Sequence, residues 1–307
     1  MKRDEKGERK MDRELFKKLV IREVEKFIEA NYPTGKVEEQ TVQKLNDSKE
    51  GFVIIFEDDG GPIYYWDQLL ERYMHFDSFE AFIENFLEAI HELASNFKVK
   101  DIKSLVLDEI DKEYIINNVL PILINTEINR DFFDEMKLVH RDFPETGLSV
   151  IYYFDIKVEE TSGIIKIPQD LIKEHGITEE ELYQNALRNL KKKNPYEELP
   201  LMSLFGHNAS PEEDITLIIA KDGYAAAYIL LDEVLQHLCD KYDGNIMIIP
   251  SSINEVLIGP SGSEAYINYM KKCVFDISND ESKLPKEEFL SDKLFIYDRA
   301  KHQLFVS

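Results

Sequence analysis

The chain has two cysteines in 307 residues, Cys239 and Cys273, 34 positions apart. Two thiols build neither a disulfide framework nor an all-cysteine metal site. Both lie in apolar, helix-like surroundings and read as small buried hydrophobes. Long hydrophobic runs are missing too. The longest, such as Ala225 to Leu231, fall far below the roughly 18–20 apolar residues of a spanning helix. The charged start, Met1 to Lys10, lacks the apolar core of a secretory signal. It reads as a mobile leader over residues 1–10, and the expected compartment is the cytoplasm. Basic charge is also scarce: 37 Lys+Arg stand against 60 Asp+Glu, a formal net charge of −23. That excludes broad, sequence-independent nucleic-acid binding, which draws its affinity from Lys and Arg displacing counterions. It equally disfavours docking on anionic membranes.

What is present is a normal folding composition, with 43% apolar residues, too many for a disordered chain. An acid surplus gathered in one tail would mark an interaction arm. Here residues 1–100 carry 16 basic and 22 acidic groups, residues 101–200 carry 12 and 21, and residues 201–307 carry 9 and 17. The charge runs through the whole folded body, so its first role is solubility. A nucleic-acid mimic acting on a DNA-binding partner would need those carboxylates on one face.

Local patterns predict an α+β protein of small, mostly antiparallel sheets packed with amphipathic helices in two units. Leu15, Phe16, Leu19, Val20, Val24, Phe27 and Ile28 recur at helical spacing from about Asp12 to Ala30. A hairpin follows over Val37 to Leu45 and Gly51 to Glu57, then a short strand at Ile63 to Tyr65. Asp77 with Glu80 forms a capping-box pattern before a helix through Phe82, Phe86 and Ile90. These elements make an N-terminal helix–hairpin–helix unit over residues 11–100. Residues 101–139 read as a helical connector interrupted at Pro121.

Residues 140–307 read as a C-terminal α+β domain. Its expected strands are Leu148 to Lys157, Gly163 to Ile167, Asp214 to Lys221, Gly223 to Leu231, Asn245 to Pro250 and Glu255 to Ile258. Thr178 with Glu181 starts a helix that ends at the basic run Lys191 to Lys193, as the helix dipole favours. Asp232 caps another helix, Ser263 a third, and Leu294 to Asp298 with Gln303 to Val306 closes the chain as a hairpin.

Catalytic signatures are absent. Gly259-Pro260-Ser261-Gly262-Ser263 lacks the Gly-Lys-Ser/Thr ending of a phosphate loop, and the seven histidines have no zinc-helix spacing. There is no Gly-x-Ser-x-Gly elbow, and His140-Arg141-Asp142-Phe143 lacks the other parts of a kinase catalytic loop. No cofactor and no metal are expected. The best-placed nucleophiles are Ser251 and Ser252, just after an expected strand.

Five segments resemble an uncharacterised bacterial domain-of-unknown-function family, and more distantly a related family of low-GC Gram-positive bacteria. They are His140 to Phe143 leading into Val150 to Tyr153, Gly176 to Tyr183, Gly223 to Leu231, Ile249 to Leu257, and Leu290 to Arg299. The specific elements are Pro-Ser-Ser-x-x-Glu-Val-Leu and Ser-Asp-x-Leu-x-x-Tyr-Asp-Arg. That family usually has His where this chain has Asn254. The resemblance implies a shared fold and brings no activity with it.

Ser251, Ser252, Asn254 and Glu255, with Asp292, Asp298 and Arg299, are the candidate binding residues. They either tie the last hairpin to the sheet or line a polar pocket at the strand ends. The leading expectation is a non-catalytic interaction protein with a protein partner. A hydrolase centred on Ser251 and Ser252, with Glu255 or Asp292, and an acidic nucleic-acid mimic are the alternatives.

Overall fold

The computed structural model describes residues 2–3, 9–56, 61–96, 110–158, 161–193, 195–204, 206, 215–221, 223–278 and 284–307. Most of the expected leader and residues 101–109 of the expected connector lie outside these. Contacts divide the chain into two units: Met1–Lys44 with Ser48–Glu109, and Leu45–Asp47 with Ile110–Ser307. The protein is α+β, and its sheets are antiparallel.

In the first unit, helix α1 (Arg13–Asn31) starts at Asp12, whose carboxylate accepts from Glu14 N at 3.0 Å and Leu15 N at 3.3 Å. Phe16, Val20, Val24 and Ile28 are its buried stripe, spaced one turn apart. Leu15, expected on that face, is 50% exposed, because one residue turns the helix by 100°. Strands β1 (Lys36–Lys44), β2 (Asp47–Ile55) and β3 (Ile63–Tyr65) form one sheet in that order. Helix α2 (Trp66–Tyr73), which no local pattern announced, follows β3 directly. Helix α3 (Phe79–Asn96) is capped by Ser78 rather than Asp77: Ser78 Oγ accepts from Ala81 N at 3.1 Å. The core is aromatic. Phe52 meets Trp66 at 4.9 Å, Phe16 stacks on Tyr73 at 5.3 Å and Phe82 on Phe86 at 5.8 Å.

The second unit holds two sheets. Helix α4 (Lys112–Asn118) leads into β4 (Leu120–Asn125), where a helical pattern was expected. Pro121 is the reason: it breaks a helix, but on an edge strand its missing N–H need cost no ladder bond. The apolar run of β4 shows no alternation because α7 and a buried 3₁₀ helix, both introduced below, pack against it. Helix α5 (Arg130–Met136) and strand β5 (His140–Phe143) come next. The long strand β6 (Leu148–Val158) pairs with β4 on one side, and with β5 and β7 (Thr161–Lys166) on the other.

Helices α6 (Gln169–Glu174) and α7 (Glu179–Lys193) follow, and Thr178 Oγ1 accepts from Glu181 N at 3.1 Å. The remaining strands are β8 (Tyr196–Pro200), β9 (Thr216–Ala220), β10 (Ile246–Ile249), β11 (Glu255–Pro260), β12 (Phe295–Asp298) and β13 (Gln303–Val306). They form a six-stranded sheet ordered β8-β9-β11-β10-β12-β13. Helices α8 (Asp232–Lys241) and α9 (Glu264–Ser278) pack on it, α9 through Val274 against Met247, Ile249, Leu294 and Ile296.

Gly223 to Leu231, expected as a strand, instead carries a 3₁₀ helix at Ala225–Leu230. Gly223 and Tyr224 have φ of 79° and 57°. Two successive residues in the left-handed region end an extended run. Three alanines then let this short helix sit buried against β4, β9 and β11, strands of both sheets.

Candidate functional site

Register decides which candidate residues meet. Strand β12 pairs with β10 through Ile246↔Tyr297 and Ile248↔Phe295. Asp298 and Arg299 therefore lie beyond the start of β10, whereas Ser251, Ser252, Asn254 and Glu255 follow its end. Asp292, ahead of β12, lies toward that second end. The seven residues fall into separate places and do not share one pocket.

At the far end of β10, the chain segment before β12 is stitched to the turn. Leu290 N donates to Ser251 O and Ile253 N to Glu288 O, both at 2.8 Å. Ser252 is 1% exposed. Its Oγ accepts from Asn254 N at 3.1 Å and donates to Glu288 Oε2 at 3.4 Å. Asn254 Oδ1 accepts from Tyr224 N at 3.4 Å, which supports the left-handed entry to the 3₁₀ helix. Desolvation, and after it the charge of Glu288, pushes the Glu255 carboxyl above the usual range.

At the near end, the β12–β13 loop is a closed polar network. Asp298 accepts from Ala300 N and Lys301 N, each at 3.1 Å, and from Lys301 Nζ at 2.7 Å. The bond from the Lys301 side chain, before any other cause, holds its carboxyl below the usual range. Arg299 pairs with Asp240 and lies 3.7 Å from Asp243, while its backbone N donates to Asn245 Oδ1 at 3.0 Å. Beside it, Asp232 accepts from the Tyr297 hydroxyl and faces His302 Nδ1 at 2.8 Å. Gln236 Nε2 donates to Tyr297 Oη at 2.7 Å and to Arg299 O at 3.1 Å.

Asp232 was expected to cap α8. The cap residue is Leu231, without a side-chain bond, because the Asp232 carboxylate is taken by Tyr297 and His302. Burial, and next the bond to Asp232, pushes the Tyr297 hydroxyl well above its ordinary value. An Asp–His pair of this kind can orient an imidazole for proton transfer. Sequence reading missed Asp232, Gln236 and His302 as a group. Only the last hairpin, with Tyr297 in a quoted motif, pointed to the place.

A second network surrounds His140-Arg141-Asp142. Arg141 grips Glu179 through Nε at 2.9 Å and a terminal nitrogen at 2.6 Å, pairs with Glu180, and lies 4.0 Å over the Tyr183 ring. The buried Tyr152 hydroxyl also donates to Glu179, and Ser149 Oγ donates to Asp142 Oδ1 at 2.6 Å. His140 stacks on Phe133 at 4.7 Å. These charges join β5 and β6 to α7.

Asp292 lies apart from both clusters. It lines a cavity of about 360 Å³ with Lys271, Lys272, Phe275, Lys293 and Leu294. No group of three or more His, Cys, Asp or Glu among the described residues is placed to hold a metal ion. None of the described helices is long and apolar enough to cross a membrane.

The fold and these clusters define an α+β protein whose second unit carries several ion-pair and hydrogen-bond networks between its elements. The chain belongs to DUF5688, a family of unknown function, whose model matches residues 13–299. The match takes in the N-terminal elements as well as the five C-terminal segments that carried the resemblance. No curated protein and no solved structure matches this chain.

Proposed function

We propose that this protein is a non-catalytic interaction protein that acts in the cytoplasm on a protein partner. One observation carries the reading: the polar groups best placed for chemistry are divided between the two ends of β10 and are bonded within the chain. A hydrolase centred on Ser251 and Ser252 needs a base within hydrogen-bond reach of a serine hydroxyl and a third group orienting that base. Among the described residues, Ser252 Oγ has Glu288 at 3.4 Å and the Asn254 amide as partners, and no histidine. A nucleic-acid mimic needs free carboxylates in a row. Here Glu50, Glu179, Glu198 and Asp240 are each paired with a cation on a different element.

The test combines two measurements on the full chain. Fluorophosphonate reagents are expected to leave Ser251 and Ser252 unlabelled. In-cell crosslinking in the native host is expected to identify a protein that re-forms a complex with the purified chain on size-exclusion chromatography. Stoichiometric labelling of either serine would establish the hydrolase instead. A captured DNA-binding protein that duplex DNA displaces would establish the mimic.

A further inference from the structure

We propose that the outer edge of β13 pairs antiparallel with the same strand of a second copy of this chain, joining two sheets about a two-fold axis at Phe305. The six-stranded sheet has two edge strands, β8 and β13. An edge presents unpaired N–H and C=O groups, and proteins commonly blunt it with charged residues or proline. Strand β8 (Tyr196-Glu197-Glu198-Leu199-Pro200) carries two carboxylates and ends on a proline. Strand β13 (Gln303-Leu304-Phe305-Val306) carries neither, and among the described residues no strand lies on its outer side. Phe305, in the middle of it, is 44% exposed.

Ladder geometry fixes which backbone groups face outward. Ser307 N donates to Leu294 O at 2.9 Å, and the register runs on through Val306↔Phe295, Phe305↔Ile296 and Leu304↔Tyr297. Hydrogen-bonded and non-hydrogen-bonded positions alternate along an antiparallel pair. Phe305 is therefore bonded to β12, whereas the N–H and C=O of Leu304 and Val306 point away from it. Setting Leu304 opposite Val306 of the second copy, and the reverse, satisfies these groups with about four hydrogen bonds. A shift toward the loop would set Val306 against His302, whose φ of 53° leaves the extended region. In the favoured register each Phe305 faces its twin at a non-hydrogen-bonded position, where side chains come closest. An aromatic pair there covers both exposed rings.

The charges at the two ends of β13 are complementary in this arrangement. Ser307 shares a cavity wall with Lys271, Lys272, Lys293 and Asp292. The loop end carries Asp232, Asp240, Asp243 and Asp298 against Arg299 and Lys301. The first end is net positive and the second net negative. Antiparallel pairing brings the positive end of each copy toward the negative end of the other, which offsets part of the repulsion between two chains of net charge −23. So short a strand pair buries less than the roughly 800 Å² per partner of a standard interface, so the dimer is weak and concentration-dependent. This contact is independent of the protein partner proposed above.

Sedimentation velocity on the full chain tests the proposal. The expected result is a monomer at about 1 µM that shifts to a dimer by about 200 µM. Phe305→Lys sets two cations against each other at the axis. It is expected to weaken the dimer at least about tenfold, with the wild-type melting temperature kept in dilute solution. Crosslinking reports the register without added charge. On a Cys273→Ser background, Phe305→Cys is expected to form an intermolecular disulfide under mild oxidation, because paired Cα atoms about 4.5 Å apart suit one. Gln303→Cys is expected to form none, since its twin lies roughly 13 Å or more along the ladder. A wild-type chain that stays monomeric, whether or not another protein binds β13, would overturn the proposal. So would a dimer that Phe305→Lys leaves intact, or Gln303→Cys crosslinking as readily as Phe305→Cys. Exchange protection of the Leu304 and Val306 amides in dilute monomer would overturn it too, by showing that a segment of this chain covers the edge. Its failure leaves the protein-partner reading standing, since fluorophosphonate labelling and complex formation with a different protein do not depend on self-association.

Discussion

His302 Nδ1 lies 2.8 Å from an Asp232 carboxylate oxygen, although 70 residues of chain separate them. This contact closes the last hairpin onto the start of α8, and the Tyr297 hydroxyl donates to the same carboxylate. Desolvation alone would raise the Asp232 carboxyl. The bonds from Tyr297 and then His302 outweigh it and hold the group below its ordinary value.

A carboxyl depressed in the folded state adds stability that is complete above its unfolded value and is lost as pH falls through the folded one. The protein is therefore expected to lose melting temperature on acidification below the ordinary aspartate range. Asp232→Asn should flatten that part of the profile and lower the plateau. Thermal melts from neutral to strongly acidic pH check this; a variant whose acid limb matches wild type would refute the assignment.

Glu255 works in the opposite sense. Its folded carboxyl sits above the ordinary range, so in that window the native state holds the extra proton and stability falls as pH rises. Glu255→Gln should melt at or slightly above the wild-type temperature at neutral pH. Its advantage should shrink as the buffer is taken down toward the ordinary glutamate range. Paired melts of the two proteins across that interval measure it.

Arg141 should be sensitive to conservative replacement. Its fork bonds both Glu179 oxygens and its plane covers Tyr183, a geometry that a lysine ammonium cannot copy. Arg141→Ala is expected to cost about 2 kcal/mol, and Arg141→Lys to recover only part of it. Urea unfolding of the three proteins gives the values. Full recovery by lysine would show that only the charge matters.

Asn129 and Asn46 form a reciprocal buried pair. Asn129 Nδ2 donates to Asn46 Oδ1 at 2.6 Å, and Asn46 N donates to Asn129 Oδ1 at 2.7 Å. Asn129 is 0% and Asn46 2% exposed. Asn129→Leu keeps the volume but leaves a buried amide and carbonyl unpaired, at a cost of about 2–3 kcal/mol. Chemical denaturation monitored by circular dichroism should show a lower midpoint. An unchanged midpoint would mean that water replaces the lost partner.

The elements that were readable in advance owe it to short-range signals. Phe16, Val20, Val24 and Ile28 mark α1 by spacing, Thr178 marks the start of α7 by its hydroxyl, and the last hairpin follows from two apolar runs around a polar loop. The misread elements are those where burial overrides local preference. Strand β4 carries no alternation because helices cover it, and the 3₁₀ helix at Ala225–Leu230 looks extended because its residues form one continuous apolar run.

The candidate site divides along the same line. Composition alone excludes disulfide scaffolding and an all-cysteine metal centre, because two cysteines are too few for either. Ser252, Tyr297 and Asp298, which lie in the quoted motifs, each make side-chain hydrogen bonds. Which of them meet is a matter of strand register. A four-residue strand, β10, separates Ser252 from Asp298, whereas folding brings Asp232 to His302. Charge count and periodicity are properties of neighbours along the chain. Convergence across 70 residues depends on the pairing order of the sheet, and only the folded chain expresses it.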